Sequence, residues 1–239
     1  MPDDFTVPVL QRLPVPGRPL GGLTILVVED SRLACDAIRH YCVRAGARIR
    51  RADCIRAARR HIQTYRPSVV LCDVGLPDGS GLEFLADLAR SPHRPPALIC
   101  MTGDPDIAAR SLDVGADTFL LKPIGGLGAF SAAILGALSL TGTVPPPAGP
   151  ADAATKPDPA AFRDDLSHAA RVLAEAPDAA SVGYVAGFLQ GVARIARDAS
   201  LERAAADLAA RDRAGVSTRQ DVRRLAGLVS DRISTGGIL

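Results

Sequence analysis

Five side chains within the first 122 residues of this 239-residue chain have the types and placement needed to handle a phosphoryl group: Glu29, Asp30, Asp73, Thr102 and Lys122. Each follows an apolar run: LTILVV before Glu29-Asp30, VVLC before Asp73, ALICM before Thr102, and TFLL before Lys122-Pro123. Unbroken apolar runs suit strands covered on both faces, as in a parallel sheet. Parallel strands all end at one edge, and ligands bind in the crevice outside those carboxyl ends. Taken alone, Asp73 also fits a residue that opens a turn or caps the next helix. The other strand ends add the chemistry. Three carboxylates gathered together repel one another, and a cation relieves them. Oxygen-only ligands suit Mg²⁺, which completes its octahedron with water and phosphate oxygens. Lys122 supplies a point charge for an anion, and the Thr102 hydroxyl can bond a further oxygen. A carboxylate in such a crevice can act as a nucleophile and give an aspartyl phosphate. The protein then contributes positioning and charge neutralisation.

The elements that position these groups follow in a regular alternation. The strand from Leu23 leads into a helix over Ser31 to Ala45, which Gly46 stops. A short strand, Ala47 to Ala52, alternates Arg48 and Arg50 with Ile49 and reads as a sheet edge. Then come a helix over Cys54 to Tyr65, the strand Ser68 to Cys72, and a helix over Leu82 to Ala89. The strand Ala97 to Met101, a helix over Pro105 to Val114, the strand Thr118 to Leu121 and a helix over Leu127 to Leu140 complete the set. Five strands alternating with five helices make one doubly wound α/β unit.

Residues 1–22 carry five prolines and end in Gly21-Gly22, an extended arm that cannot hold a helix, though Val7, Val9, Leu10 and Leu13 offer it apolar anchors. Residues 141–159 form a linker rich in proline and alanine. Beyond it the character changes to alanine, arginine and aspartate without strands. Four helices are expected at about 160–176, 179–199, 201–214 and 218–233, a small all-α domain. The net charge of +2, from 28 basic and 26 acidic residues, gives no overall pull toward nucleic acid or membrane. The five cysteines lie in apolar patterns without metal-ligand spacing and read as small buried hydrophobes of a reducing compartment. The N-terminus lacks a signal-peptide pattern, and no apolar run is long enough to span a membrane. A cytoplasmic protein is expected.

Residues 23–140 resemble the receiver domain of bacterial two-component response regulators. The resemblance is carried by Glu29-Asp30, by Asp73 with LPDGSG behind it, by Thr102-Gly103, and by Phe119 and Lys122-Pro123 within GADTFLLKP. It implies a flavodoxin-like sheet with strand order 2-1-3-4-5 and Asp73 as phosphoacceptor. It also implies Mg²⁺ held by Glu29, Asp30, Asp73 and the backbone carbonyl of Gly75, with Lys122 pairing the phosphoryl group. Thr102 and Phe119 would form the switch, and the Lys122-Pro123 peptide would be cis. The phosphodonor would be a histidine kinase or histidine phosphotransferase, and no enzymatic activity is implied beyond the domain's own phosphoryl transfer and dephosphorylation. Three departures stand out, one of them the fifth helix, beginning IGGLGAF, whose glycine and alanine content suggests a cover by the arm, a second subunit or the C-terminal domain. Gly75, two after Asp73, offers no side chain, and Asp104, two after Thr102, fits either a residue that orients water or a helix cap.

The helical half matches no pattern of this kind. Its basic and acidic residues balance, which favours protein contacts: a downstream partner, or a homodimer through the apolar stripe of Tyr184, Val185, Phe188, Leu189, Val192 and Ile195. Gly183, Gly187 and Gly191 recur on one face and would let another helix approach. DNA binding through Arg219, Arg223 and Arg224 is the alternative, opposed by Asp221 and Asp231 in the same segment. His168 is a candidate phosphoryl relay or simply a surface residue.

Overall fold

The computed structural model describes residues 17–138, 157–175, 179–216 and 218–235. Most of the proposed arm, including Val7 to Leu13, and most of the linker lie outside them.

Five parallel strands form the sheet: β1 (Thr24–Val28), β2 (Arg48–Ala52), β3 (Val69–Asp73), β6 (Ala97–Thr102) and β7 (Thr118–Leu121). Their order is β2-β1-β3-β6-β7, the doubly wound order expected. A two-stranded ribbon, β4 (Gly75–Leu76) with β5 (Gly79–Ser80), follows Asp73. The register β1 to β3 aligns Val28 with Cys72, and β3 to β6 aligns Asp73 with Met101. Side chains alternate faces along each strand. Ile25, Val27, Val69, Leu71, Ile99 and Met101 therefore pack with α1 (Arg32–Ala45) and α5 (Leu127–Ala137). Leu26, Val28, Val70, Cys72, Leu98 and Cys100 pack with α2 (Ile55–Thr64) and α3 (Gly81–Arg90). α4 (Pro105–Asp113) runs between β6 and β7. β2 is one of the two edge strands, with three of its first four positions exposed. Cys35, Cys42, Cys72 and Cys100 are free and buried.

Two glycines are needed by geometry. Gly46 ends α1 in the left-handed region at φ +83°. At Gly81 a Cβ would sit 1.8 Å from the carbonyl oxygen of Asp73, so only glycine lets α3 begin this close to that residue. Leu20 is fully buried and its N–H donates to the carbonyl of Ala45 at 2.9 Å, which docks the end of the arm on α1.

The second half is helical: α6 (Pro159–Ala174), α7 (Ala179–Ala196), α8 (Ala199–Arg213) and α9 (Arg219–Ser234). The break expected at Ser200 falls earlier, at Arg197 and Asp198. Arg197 takes φ +60°, and Asp198 caps α8 by accepting from Leu201 N at 3.0 Å. Asp198 also pairs with Arg232 Nε of α9 at 2.7 Å, tying the two helices together. Phe162, Leu166, Val185, Leu189, Leu201, Leu208, Leu225 and Val229 form its core. One member of that core is Leu33, from α1. Each such leucine contributes ~1.5–3 kcal/mol by leaving water, so the helical unit and the sheet domain share part of one apolar interior.

Candidate functional site

All five chemistry-bearing side chains meet at the carboxyl edge of the sheet. Lys122, just past β7, donates from Nζ to Glu29 Oε2 at 2.5 Å and to Asp73 Oδ1 at 2.8 Å. Its side chain is 14% exposed, that of Glu29 2% and that of Asp73 15%, so the two ion pairs are shielded from solvent. Burial alone would lower the Lys122 pKa, but the two carboxylates hold it above the ordinary lysine value. Burial pushes Glu29 up to about 8 against the pull of Lys122, with Asp73 and Asp30 adding to the rise. Asp30 is pushed up to about 6, again mainly by burial.

Glu29, Asp30 and Asp73 each place an oxygen within 4.8 Å of the others. Asp30 Oδ1 is buried and has no hydrogen-bond partner among the described residues. Oxygen ligands, excess negative charge and an orphaned carboxylate oxygen fit a hard divalent cation such as Mg²⁺. Gly75 lies in β4, two residues beyond Asp73, close enough that a Cβ on it would reach Asp73 Oδ2 at 3.9 Å.

Thr102 ends β6, 5% exposed, and its Oγ1 accepts from Asp104 N at 3.1 Å. Asp104 itself accepts from Asp106 N at 2.9 Å, so between a water-orienting residue and a cap, it is placed as the cap of α4. Phe119 pairs in register with Cys100 and is partly buried against the α2/α3-side core. The Lys122–Pro123 peptide is cis.

The helical unit docks onto this crevice, which the amino-acid pattern did not announce. Asp165 of α6, 2% exposed, accepts from Ser31 Oγ at 2.7 Å, Arg32 N at 2.8 Å and Leu33 N at 3.1 Å. Its carboxylate thereby satisfies two N–H groups in the first turn of α1, beside the local cap Ser31, whose Oγ accepts from Ala34 N at 3.0 Å. Tyr184 of α7 donates to Asp30 Oδ2 at 2.5 Å. Arg194, paired with Glu202 at 2.9 Å, donates to the carbonyls of Lys122 at 3.2 Å and Gly103 at 3.4 Å. Together the strand ends and α7 enclose a cavity of about 450 Å³, with Gly187, Phe188 and Gly191 facing Asp30, Asp73 and Lys122. The glycine face expected to admit another helix therefore lines the crevice, and Val185, Leu189 and Val192 are spent in the unit's own core. His168 is not aimed at Asp73 directly: its Nε2 lies 2.9 Å from Tyr184 Oη, and Arg171 donates to its Nδ1 at 2.9 Å. Arg219, Arg223 and Arg224 are exposed on α9, where Asp221 pairs with Arg211 at 2.8 Å.

Asp165 had a signal in the sequence. It falls within the apolar stripe of Ala161, Phe162, Leu166 and Ala169, and a carboxylate at a core position needs donors. Tyr184 and Arg194 had none.

Residues 25–132 match the family model described as response regulator receiver domain. The KDP operon transcriptional regulatory protein KdpE of Escherichia coli is 31% identical over 101 residues, 42% of this chain and 45% of that protein. The transcriptional regulatory protein BasR of E. coli is 35% identical over 103 residues, 42% and 46% of the two chains. The sensory transduction protein LytT of Bacillus cereus is 32% identical over 103 residues, 42% of each. Among solved structures, a putative response regulator from Chloroflexus aurantiacus aligns with TM-score 0.47 and 23% identity, covering 49% of this chain and 98% of that one. The chain spans less than half the length of these curated relatives. The receiver-domain match is confined to residues 25–132. The family match ends before α6.

Proposed function

We propose that Asp73 accepts a phosphoryl group from a phosphohistidine of a histidine kinase or histidine phosphotransferase, or from a small acyl phosphate. The observation that carries this reading is Lys122, whose ammonium is buried between Glu29 and Asp73 at the carboxyl edge of the sheet. An Asp73 oxygen attacks phosphorus as the P–N bond of the donor breaks, and its electron pair returns to the imidazole nitrogen. Lys122 and the Thr102 hydroxyl would bond the phosphoryl oxygens in the product. Mg²⁺ held by Glu29, Asp30, Asp73 and the Gly75 carbonyl would supply the remaining positive charge. Thr102 and Phe119 lie on adjacent strands, which suits them to pass a change at Asp73 toward α4 and β7. In this reading the chain performs no chemistry beyond its own phosphorylation and dephosphorylation.

The helical unit would then deliver the signal through a protein partner. α9 carries Asp221 and Asp231 among its arginines, which breaks up a basic face. DNA binding through Arg219, Arg223 and Arg224 is the second reading. It is favoured by the names of KdpE and BasR as transcriptional regulatory proteins. A homodimer is a further reading: Val185, Leu189 and Val192 pack within the unit's own core, whereas Tyr184, Phe188 and Ile195 are only partly buried. A cytoplasmic location agrees with the finding that, among the described residues, no helix is long and apolar enough to cross a membrane.

Intact-mass measurement after incubation with acetyl phosphate tests the acceptor. Wild type should gain one phosphoryl group in Mg²⁺ and none in a chelator, and Asp73→Asn should gain none. Equal labelling of both proteins sinks the assignment.

A further inference from the structure

We propose that Tyr184 of the helical unit is a positioning residue of the receiver's cation site, holding Asp30 by one carboxylate oxygen so that the other faces the cation. The inference rests on the reading of Glu29, Asp30 and Asp73 as cation ligands. Its starting observation is the unequal treatment of the two Asp30 oxygens. Oδ2 receives the Tyr184 hydroxyl at 2.5 Å, whereas Oδ1 is buried without a partner. A carboxylate turns about its last torsion in a broad, two-fold well. One strong hydrogen bond to a neutral donor fixes that rotation and leaves the second oxygen committed to the crevice.

The hydroxyl is itself held in direction. Its proton goes to Asp30, so the nearby His168 Nε2 must donate to its oxygen. The other ring nitrogen accepts from Arg171, which is consistent with that single tautomer. Arg171, His168, Tyr184 and Asp30 thus form a chain in which each donates to the next. The Tyr184 ring stacks edge-on against His168 at 6.2 Å and tilted against Phe188 at 6.0 Å, which restricts its rotamer. Burial, and then the charge of Asp30, raise the phenol pKa, so Tyr184 remains a donor at neutral pH. Carboxylate ligands of metals are commonly oriented by outer hydrogen bonds of this kind. Here that bond comes from a residue 154 positions away, in a different structural unit. A residue that merely blocked the site would occupy both oxygens.

The test uses the full chain and needs no phosphoryl transfer. Free Mn²⁺ is measured by its electron paramagnetic resonance signal during titration of wild type, Tyr184→Phe, Asp165→Ala and the double variant. Tyr184→Phe keeps the ring and should keep the melting temperature, yet weaken Mn²⁺ binding about tenfold. Asp165→Ala, which loosens the unit that carries Tyr184, should weaken it comparably, and the double variant should lose nothing further. The Mg²⁺ concentration for half-maximal labelling by acetyl phosphate should rise by the same factor in Tyr184→Phe, with labelling at saturating Mg²⁺ equal to wild type. Unchanged or tighter Mn²⁺ binding in Tyr184→Phe overturns the inference, as does weakening in Asp165→Ala alone. If wild type binds Mn²⁺ but is never labelled on Asp73, the acceptor reading fails while the Tyr184 comparison still stands.

Discussion

Asp165→Ala should release the helical unit from the receiver domain and cost the chain about 2–4 kcal/mol of stability. The side chain is almost fully buried and accepts from one hydroxyl and two backbone N–H groups at the start of α1. Each bond to a charged acceptor contributes about 1.5–3 kcal/mol, and a donor left buried and unpaired costs a similar amount. The helix dipole adds to the attraction, because a carboxylate sits at the N-terminus of α1. Burial works in the other direction: it raises the Asp165 pKa despite the three donors, so the net value lies well below the sum of the bonds. Water reaching the opened interface will recover part of the loss. Amide exchange separates this from a general loss of stability. The amides of Arg32 and Leu33 should lose protection first, while those of β3 and β6 fall only with global unfolding. Asp165→Asn keeps one acceptor oxygen and should lose less. Unchanged protection at Arg32 and Leu33 in Asp165→Ala would show that the contact holds nothing in place.

The receiver half was legible because its information is local. β3 and β6 are apolar on both faces, which only a covered parallel sheet explains, and their ends carry Asp73 and Thr102. Once the strands are parallel, the convergence of Glu29, Asp73 and Lys122 follows from chain direction alone. The docking of the helical unit was not legible, since it is made by single polar contacts between residues more than 100 positions apart, such as Ser31 with Asp165. Nothing in a helical period marks Tyr184 as the partner of Asp30. The glycines of α7 are visible in the sequence, but the crevice they line is not: Gly187 and Gly191 have open space where a Cβ would stand and face the strand ends. α7 is apolar beyond a narrow stripe for the same reason. It packs on α6 and α8 and also roofs the receiver, with Phe188 on that side. The break at Arg197 is illegible in the sequence because a non-glycine residue in the left-handed region leaves no compositional trace.

In a chelating buffer, the full chain should lose stability as pH rises from 6.5 to 8, and Mg²⁺ should abolish that loss. Glu29 is the group responsible. Burial, outweighing Lys122, moves its pKa from 4.5 in the unfolded chain to about 8 in the fold. Between those values the native state holds a proton that the unfolded chain has released, so stability falls with rising pH. One proton over 1.5 pH units amounts to about 2 kcal/mol. Asp30, pushed up mainly by burial to about 6, adds a smaller fall of the same sign at the lower end of this window. Lys122 stays charged, because the Asp73 carboxylate holds its pKa up against the effect of burial. Asp87, hydrogen-bonded by Arg59, is held below the usual carboxylate value and has finished titrating at lower pH. His168 has the opposite sign: burial and then Arg171 lower its pKa, so stability rises with pH until the unfolded imidazole has lost its proton above 6.5, which offsets a small part of the fall at the lower end of this window. A divalent cation favours the ionised carboxylates and removes the reason for Glu29 to keep its proton. Urea unfolding at pH 6.5 and 8, with chelator and with Mg²⁺, measures all four cases. Glu29→Gln should flatten the chelator series while leaving the receiver folded. Stability that climbs from 6.5 to 8 in chelator, or an equal fall with Mg²⁺ present, would remove Glu29 from the cation site.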